Sequence, residues 1–158
     1  MVLNDMSQSC PCGSQSTYIQ CCQPVHLDPS HAATPEALMR SRFTAFALGN
    51  VEVLLDTWAP ETRPPRHELD DGQTRWLRLD IENSDVQPPE GWVRFQALGR
   101  QNGRFFTLRE TSRFRFDATV KQWFYVDGDT EWGHLSIGRN APCPCGSGLK
   151  AKRCCARD

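Results

Sequence analysis

Eight cysteines carry the most specific chemistry in this 158-residue chain. They stand as CPCGSQSTYIQCC, from Cys10 to Cys22, and CPCGSGLKAKRCC, from Cys143 to Cys155, so the pattern CxC-x8-CC occurs twice with Pro, Gly and Ser at matching offsets. Four soft thiolates gathered by two tight turns make an all-sulfur tetrahedral shell, the closed arrangement of structural zinc, with no position left for a catalytic water. Gly13 and Ser14, like Gly146, Ser147 and Gly148, follow the first ligand pair, where glycine supplies the positive φ of a sharp turn. Adjacent cysteines make poor disulfide pairs. The expectation is therefore two Zn2+ sites: Cys10, Cys12, Cys21 and Cys22 in one, Cys143, Cys145, Cys154 and Cys155 in the other. Each end is too short to fold on apolar burial alone and should depend on its metal. The alternative is a set of free thiols, for which vicinal pairs suit redox or metal sensing.

The two copies differ in charge. A zinc ion with four thiolates carries about −2. Lys150, Lys152, Arg153 and Arg157 surround the C-terminal copy and more than offset this, whereas no Lys or Arg lies between Cys10 and Cys22. The C-terminal knuckle is expected either to offer a basic surface to a protein partner with an acidic patch, or to use these cations merely to neutralise its own site. The N-terminal one, with Tyr18, Ile19 and Pro24, is expected to pack on the middle of the chain.

Bulk properties narrow the remaining classes. With 39% hydrophobic residues, eight Phe and five Trp, the chain has material for one packed core. A net charge of −1 gives no bulk drive toward nucleic acid or anionic lipid. No apolar run reaches membrane-spanning length, and the opening MVLNDMSQSC lacks the features of a secretory signal. The chain reads as soluble and cytoplasmic, a compartment where cysteines are thiols or metal ligands. His26, His31, His67 and His134 show no triad spacing and read mostly as surface residues; no phosphate-binding glycine loop is present.

The elements that must hold these ends apart are legible from periodicity. Thr34-Pro35-Glu36 gives an N-cap, a first-turn Pro and a first-turn acid, and predicts a helix carrying Met39, Phe43, Phe46 and Ala47 to a stop at Gly49-Asn50. A second short helix follows with Val51, Leu54, Leu55 and Trp58 on one face, ended by Pro60. Residues 61–72 read as a loop or a weak helix. From Trp76 the period becomes two, through Leu77, Leu79 and Ile81, then Val93, Phe95 and Ala97. Asn102-Gly103 signals a hairpin into a strand from Arg104 to Phe116, and a turn returns the chain as a strand from Gln122 to Val126. Trp132 to Asn140 reads as a linker. Helices followed by antiparallel strands define an α+β layer fold.

In the long strand, Arg109, Arg113 and Arg115 point to one face, expected to be solvated rather than a nucleic-acid stripe with Arg94. The other face sets Glu110 and Ser112 among Phe106, Leu108, Phe114 and Phe116. A buried carboxylate must be paired or have its pKa raised, and Arg40 and Arg42 of the first helix are the candidate partners. Two readings of these atoms stand: an ion pair locking helix to sheet, or the polar floor of a ligand pocket formed by Arg40, Arg42, Trp58, Glu110 and Ser112.

The stretch GRNAPCPCGSGLKAKRCC resembles the SEC-C motif, the zinc-binding tail through which the secretion ATPase SecA docks on the acidic chaperone SecB. With such a motif at each end, TPEALMRSRFTAF after the first and WFYVDGD before the second, the chain resembles the YchJ-like family. That resemblance implies an α+β, nuclear transport factor 2-like curved antiparallel sheet packed on helices and flanked by two small zinc knuckles. The divisions would be residues 1–27, 28–131 and 132–158. Fold analogy adds homodimerisation through the central domain. No biochemical activity comes with the resemblance, so an interaction module through the basic knuckle leads, ahead of small-molecule binding or catalysis in the centre and of thiol-based sensing.

Overall fold

The structure, a computed structural model, describes residues 8–157. The first seven residues of the expected N-terminal unit and the last residue of the C-terminal one lie outside them.

Three helices precede four long strands: α1 (Cys22–Leu27), α2 (Pro35–Leu48), α3 (Val51–Asp56), then β1 (Thr74–Gln87), β2 (Glu90–Gln101), β3 (Arg104–Asp117) and β4 (Gln122–Leu135). The strands form one antiparallel sheet in the order β1-β2-β3-β4. Helix α2 begins where its residues dictate. Thr34 caps it by accepting from the Ala37 N–H at 3.1 Å, Pro35 fills the first turn, and Gly49, at φ 71°, closes it in the left-handed conformation.

The helix lies across the sheet, and Leu38, Met39 and Phe43 pack with Leu79, Val93 and Phe95. Each such fully buried side chain contributes about 1.5–3 kcal/mol. A second cluster, Ala45 with Val53, Leu54 and Leu69, joins α2 to α3. Helix α2 is thus covered on more than one side, which is why Ser41, Arg42 and Thr44 are buried along with its apolar residues.

Residues 61–72 contain only a 3-10 turn at Arg66–Glu68. β1 starts at Thr74, and β4 continues to Leu135, well past the expected end at Val126. Its extension pairs with β3 from Thr111↔Asp129 to Phe105↔Leu135, so the expected division at residues 131 and 132 falls inside a strand. Polar residues such as Asp127, Asp129 and Glu131 mask this stretch from hydrophobic periodicity. A bulge opposite Arg113 and Phe114 skips Val126, and the segment after α3 docks beside it: Ala59 N–H donates to Tyr125 O and Tyr125 N–H to Thr57 O, both at 2.8 Å.

The second face of the sheet is not wholly solvated. At the β2–β3 hairpin end, Leu98 and Phe105 are buried with Cys143, Ala151 and Cys155 of the C-terminal knuckle. Elsewhere that face carries ion pairs: Arg109 with Glu82, Arg113 with Asp127 and Asp129.

Candidate metal centres and the central cavity

The two cysteine stretches fold alike, atom for atom over the turns. Cys10 N–H donates to Ser16 O and Cys143 N–H to Leu149 O, each at 2.8 Å. Gly13 N–H returns to Cys10 O at 3.1 Å and Gly146 N–H to Cys143 O at 3.2 Å. Single antiparallel bridges, Ser9↔Thr17 and Pro142↔Lys150, close the two loops. Gly13 and Gly146 sit at φ 80° and 87°, and the second left-handed position is Gln15 in one copy and Gly148 in the other.

These turns bring four Sγ atoms at each end within 4.8 Å of one another. Cys12–Cys21 and Cys145–Cys154 are 3.5 Å apart, Cys21–Cys22 3.9 Å and Cys154–Cys155 3.8 Å, and all eight cysteines are free. A tetrahedron with metal–sulfur bonds of about 2.3 Å has sulfur–sulfur edges of about 3.8 Å, so both sets are dimensioned for one metal ion each. The thiols also compete for charge. Hydrogen bonding from Cys10 and Cys22 holds Cys12 far below the usual thiol range, and the same sharing, with burial, pushes Cys22 far above it. Burial lifts Cys21 to about 11. Four thiols this close cannot all ionise without a cation to balance their charge.

Their surroundings differ. At the N-terminal site the Thr44 hydroxyl donates to Cys22 Sγ at 3.3 Å and lies 3.6 Å from Cys10 Sγ, while Arg40 Nη1 donates to Cys12 O at 2.9 Å. His26 is not a surface residue: Tyr18 Oη contacts its Nδ1 and Ser41 O its Nε2, each at 2.8 Å, and burial lowers its pKa. Ile19, expected to pack inward, is 43% exposed. The Gly13 turn lies against β1, so that a Cβ there would be 3.6 Å from Leu79 O. At the C-terminal site Arg100 Nη1 donates to Cys155 O at 2.8 Å, and Ser147 Oγ donates to Cys154 Sγ at 3.2 Å as Ser14 Oγ meets Cys21 Sγ at 3.0 Å. Lys150, Arg153 and Arg157 are exposed, and Lys152 is half-buried.

Both ends and the centre match known families. The SEC-C motif matches residues 6–24 and 139–157, and the family described as "YchJ, middle NTF2-like domain" matches residues 34–128. A UPF0225 protein of Vibrio cholerae is 42% identical over 152 residues, covering 93% of this chain and 99% of its own. The chain belongs to the YchJ family. Solved structures carry the same architecture. A SEC-C motif containing protein from Rhodopseudomonas palustris aligns with a TM-score of 0.72 at 32% identity, covering 77% of this chain and 98% of that one. Another, from Psychrobacter arcticus, aligns at 0.67 and 26% identity over 95% and 96%. The YchJ-family chain is thus an NTF2-like α+β domain with a four-cysteine cluster at each end.

Between α2 and the sheet this YchJ-family chain has a half-open cavity of about 240 Å³. Its walls are chiefly aromatic, including Phe43, Phe46, Trp58, Trp76 and Tyr125, and Trp132 stands at its margin 64% exposed. Of the five residues singled out from the sequence, Arg42, Trp58 and Glu110 line it; Arg40 and Ser112 are not in the lining. Arg40 is turned instead to the N-terminal knuckle, and Ser112, fully buried, donates to Glu110 Oε2.

The expected Arg–Glu110 ion pair is absent among the described residues. Arg42 Nη1 donates to Thr57 Oγ1 at 2.7 Å and Leu54 O at 3.2 Å, and its guanidinium stacks 4.7 Å from the Trp58 ring centroid and 4.5 Å from that of Tyr125. Burial lowers its pKa to about 10, leaving it charged at neutral pH. Burial raises Glu110 above the ordinary carboxylate range, against the pull of Ser112, Tyr125 and Arg42. Periodicity could not reveal Tyr125 or Thr57, which meet Arg42 only through the fold. Thr44 did leave a signal: Arg40, Ser41 and Thr44 form a polar stripe at helical spacing.

Proposed function

We propose that the chain is a zinc-stabilised protein-interaction module, in which each four-cysteine knuckle holds one Zn2+ and the C-terminal knuckle presents a basic surface to a partner with an acidic patch. The observation that carries the reading is the clustering of unpaired cations at the C-terminal knuckle. Arg109, Arg113 and Arg115 of the sheet are each matched to a carboxylate. Lys150, Lys152, Arg153 and Arg157 have no ion pair among the described residues, although they surround one small site. Their charge exceeds in magnitude the charge of about −2 on a zinc ion with four thiolates, and the excess is retained at a cost that a complementary surface offsets on binding.

Zinc is supported by the sulfur separations and by the all-thiolate donor set, which closed structural sites use. The eight free thiols fit a reducing, cytoplasmic setting. Matching of Arg109, Arg113 and Arg115 to carboxylates argues against a nucleic-acid stripe along β3. No helix among the described residues is long and apolar enough to cross a membrane.

Native mass spectrometry of protein purified under reducing conditions, without added metal, should give two zinc ions per chain. The Lys150→Glu, Lys152→Glu, Arg153→Glu variant should keep both ions, yet release partners that wild type captures at physiological salt. Partners retained by that variant would defeat the interaction reading; one ion or none would defeat the metal assignment.

A further inference from the structure

Arg42 is the one charged residue among the described residues that is fully buried, at 2% exposure. No carboxylate lies within ion-pair distance of it among the described residues. Its Nη1 is occupied by Thr57 and Leu54, which are neutral acceptors, and its two stacking partners are rings. A buried charge held by neutral groups and π-faces lacks the counter-ion that burial normally demands. Beside it, the Trp58 indole Nε1 is buried without a hydrogen-bond partner, and an indole nitrogen can only donate.

Both observations belong to the wall of the same aromatic cavity. The slot between Trp58 and Tyr125, where an aromatic cage would hold a cationic ligand, is already filled by the Arg42 guanidinium, so a cationic ligand is disfavoured twice. What Arg42 and the Trp58 Nε1–H lack, among the described residues, is a carboxylate partner, since Glu110 in the same lining is engaged by Ser112 instead. The space, about 240 Å³, is smaller than a typical drug-sized site, and its surfaces suit a flat ring. We infer that the central cavity is a binding site for a small planar aromatic carboxylate, its ring against Phe43, Phe46 and Trp76 and its carboxylate drawn to Arg42 and the Trp58 Nε1–H. Glu110, in the same lining with one oxygen engaged by Ser112, disfavours a second anionic group on the ligand.

This inference is independent of the metal and partner reading and is tested on the full metal-loaded chain. Isothermal titration calorimetry and thermal shift would compare 2-naphthoate, 2-naphthamide and 2-naphthylmethylammonium. The carboxylate should bind at least about tenfold more tightly than the amide, a charge-assisted hydrogen bond being the difference, and the ammonium should not bind. Trp58→Phe, which keeps an aromatic face beside Arg42 and removes the N–H, should weaken naphthoate about tenfold. Arg42→Met should erase the preference for carboxylate over amide. Arg42 also ties α2 to the α3 end, so should that variant fail to fold, the wild-type comparison and Trp58→Phe still decide the matter. Equal affinities for the three probes, no binding of naphthoate, or unchanged binding by Trp58→Phe would each overturn the inference.

Discussion

Thr44 is the residue through which the central helix reaches the N-terminal sulfurs. Its hydroxyl donates to Cys22 Sγ, an interaction that stabilises thiolate over thiol and orients the ligand. Thr44→Val keeps the shape and removes the donor. It should lower metal affinity at the N-terminal site about 10-fold, within the range for residues that support ligands, and leave the C-terminal site unchanged, as read by chelator competition that resolves the two ions. Glu110 makes a second prediction at this scale. Its folded-state pKa is raised by burial, so between the ordinary carboxylate range and that raised value the folded chain binds more protons than the unfolded one. Stability therefore falls as pH rises through that window. Glu110→Gln is neutral throughout, so in urea unfolding its stability relative to wild type should be greater at pH 8 than at pH 4.5. At this scale the sequence was a good guide to the cysteines, whose partners are fixed by local spacing. It was a poor one to Arg42, whose rings and hydroxyl come from Trp58, Tyr125 and Thr57 on separate segments.

At the scale of elements, the repeated knuckle tolerates one asymmetry that shows what its turns require. Gln15 adopts φ 71° where the C-terminal copy has Gly148 at φ 82°. A Cβ at Gly148 would meet nothing within 4 Å, so the penalty there is the left-handed backbone, about 1 kcal/mol. Gly148→Gln should thus weaken metal binding at that end only about fivefold. Gly146→Gln should weaken it more, because a Cβ there would lie 2.8 Å from Arg78 Nη1 as well. Chelator competition on the two variants gives the order. The helix α2 was legible from its caps, and the strand β3 from its alternation with the hairpin signal before it. The far half of β4 was not, because its exposed acidic residues carry no two-residue apolar period even though two of them pair with Arg113 across the sheet.

Over the whole molecule, apolar burial holds the centre and the sulfur clusters hold the ends. Core clusters between α2, α3 and the sheet contain no cysteine, whereas the cluster at the β2–β3 hairpin end includes Cys143 and Cys155. Removing metal with a chelator under reducing conditions should therefore leave the central sheet folded, while hydrogen exchange accelerates first in residues 8–22 and 139–157 and then around Leu98 and Phe105. Loss of all protection in a single step would contradict this division. The order of segments could be read from the sequence, but the docking of the last knuckle on the sheet's second face could not, since Leu98 and Phe105 look there like isolated apolar residues on a polar side.

The placement of the Gly13 turn against the Leu79 carbonyl has a further meaning. β1 is a terminal strand of the sheet, and such a border offers unpaired amide groups to any other chain able to add a strand. A turn that holds its shape through four sulfurs stands over part of that border. The cysteine cluster then also bears on self-association: once the end residues loosen without metal, part of that border is open to strand addition, and the chain should aggregate while its central sheet is still folded.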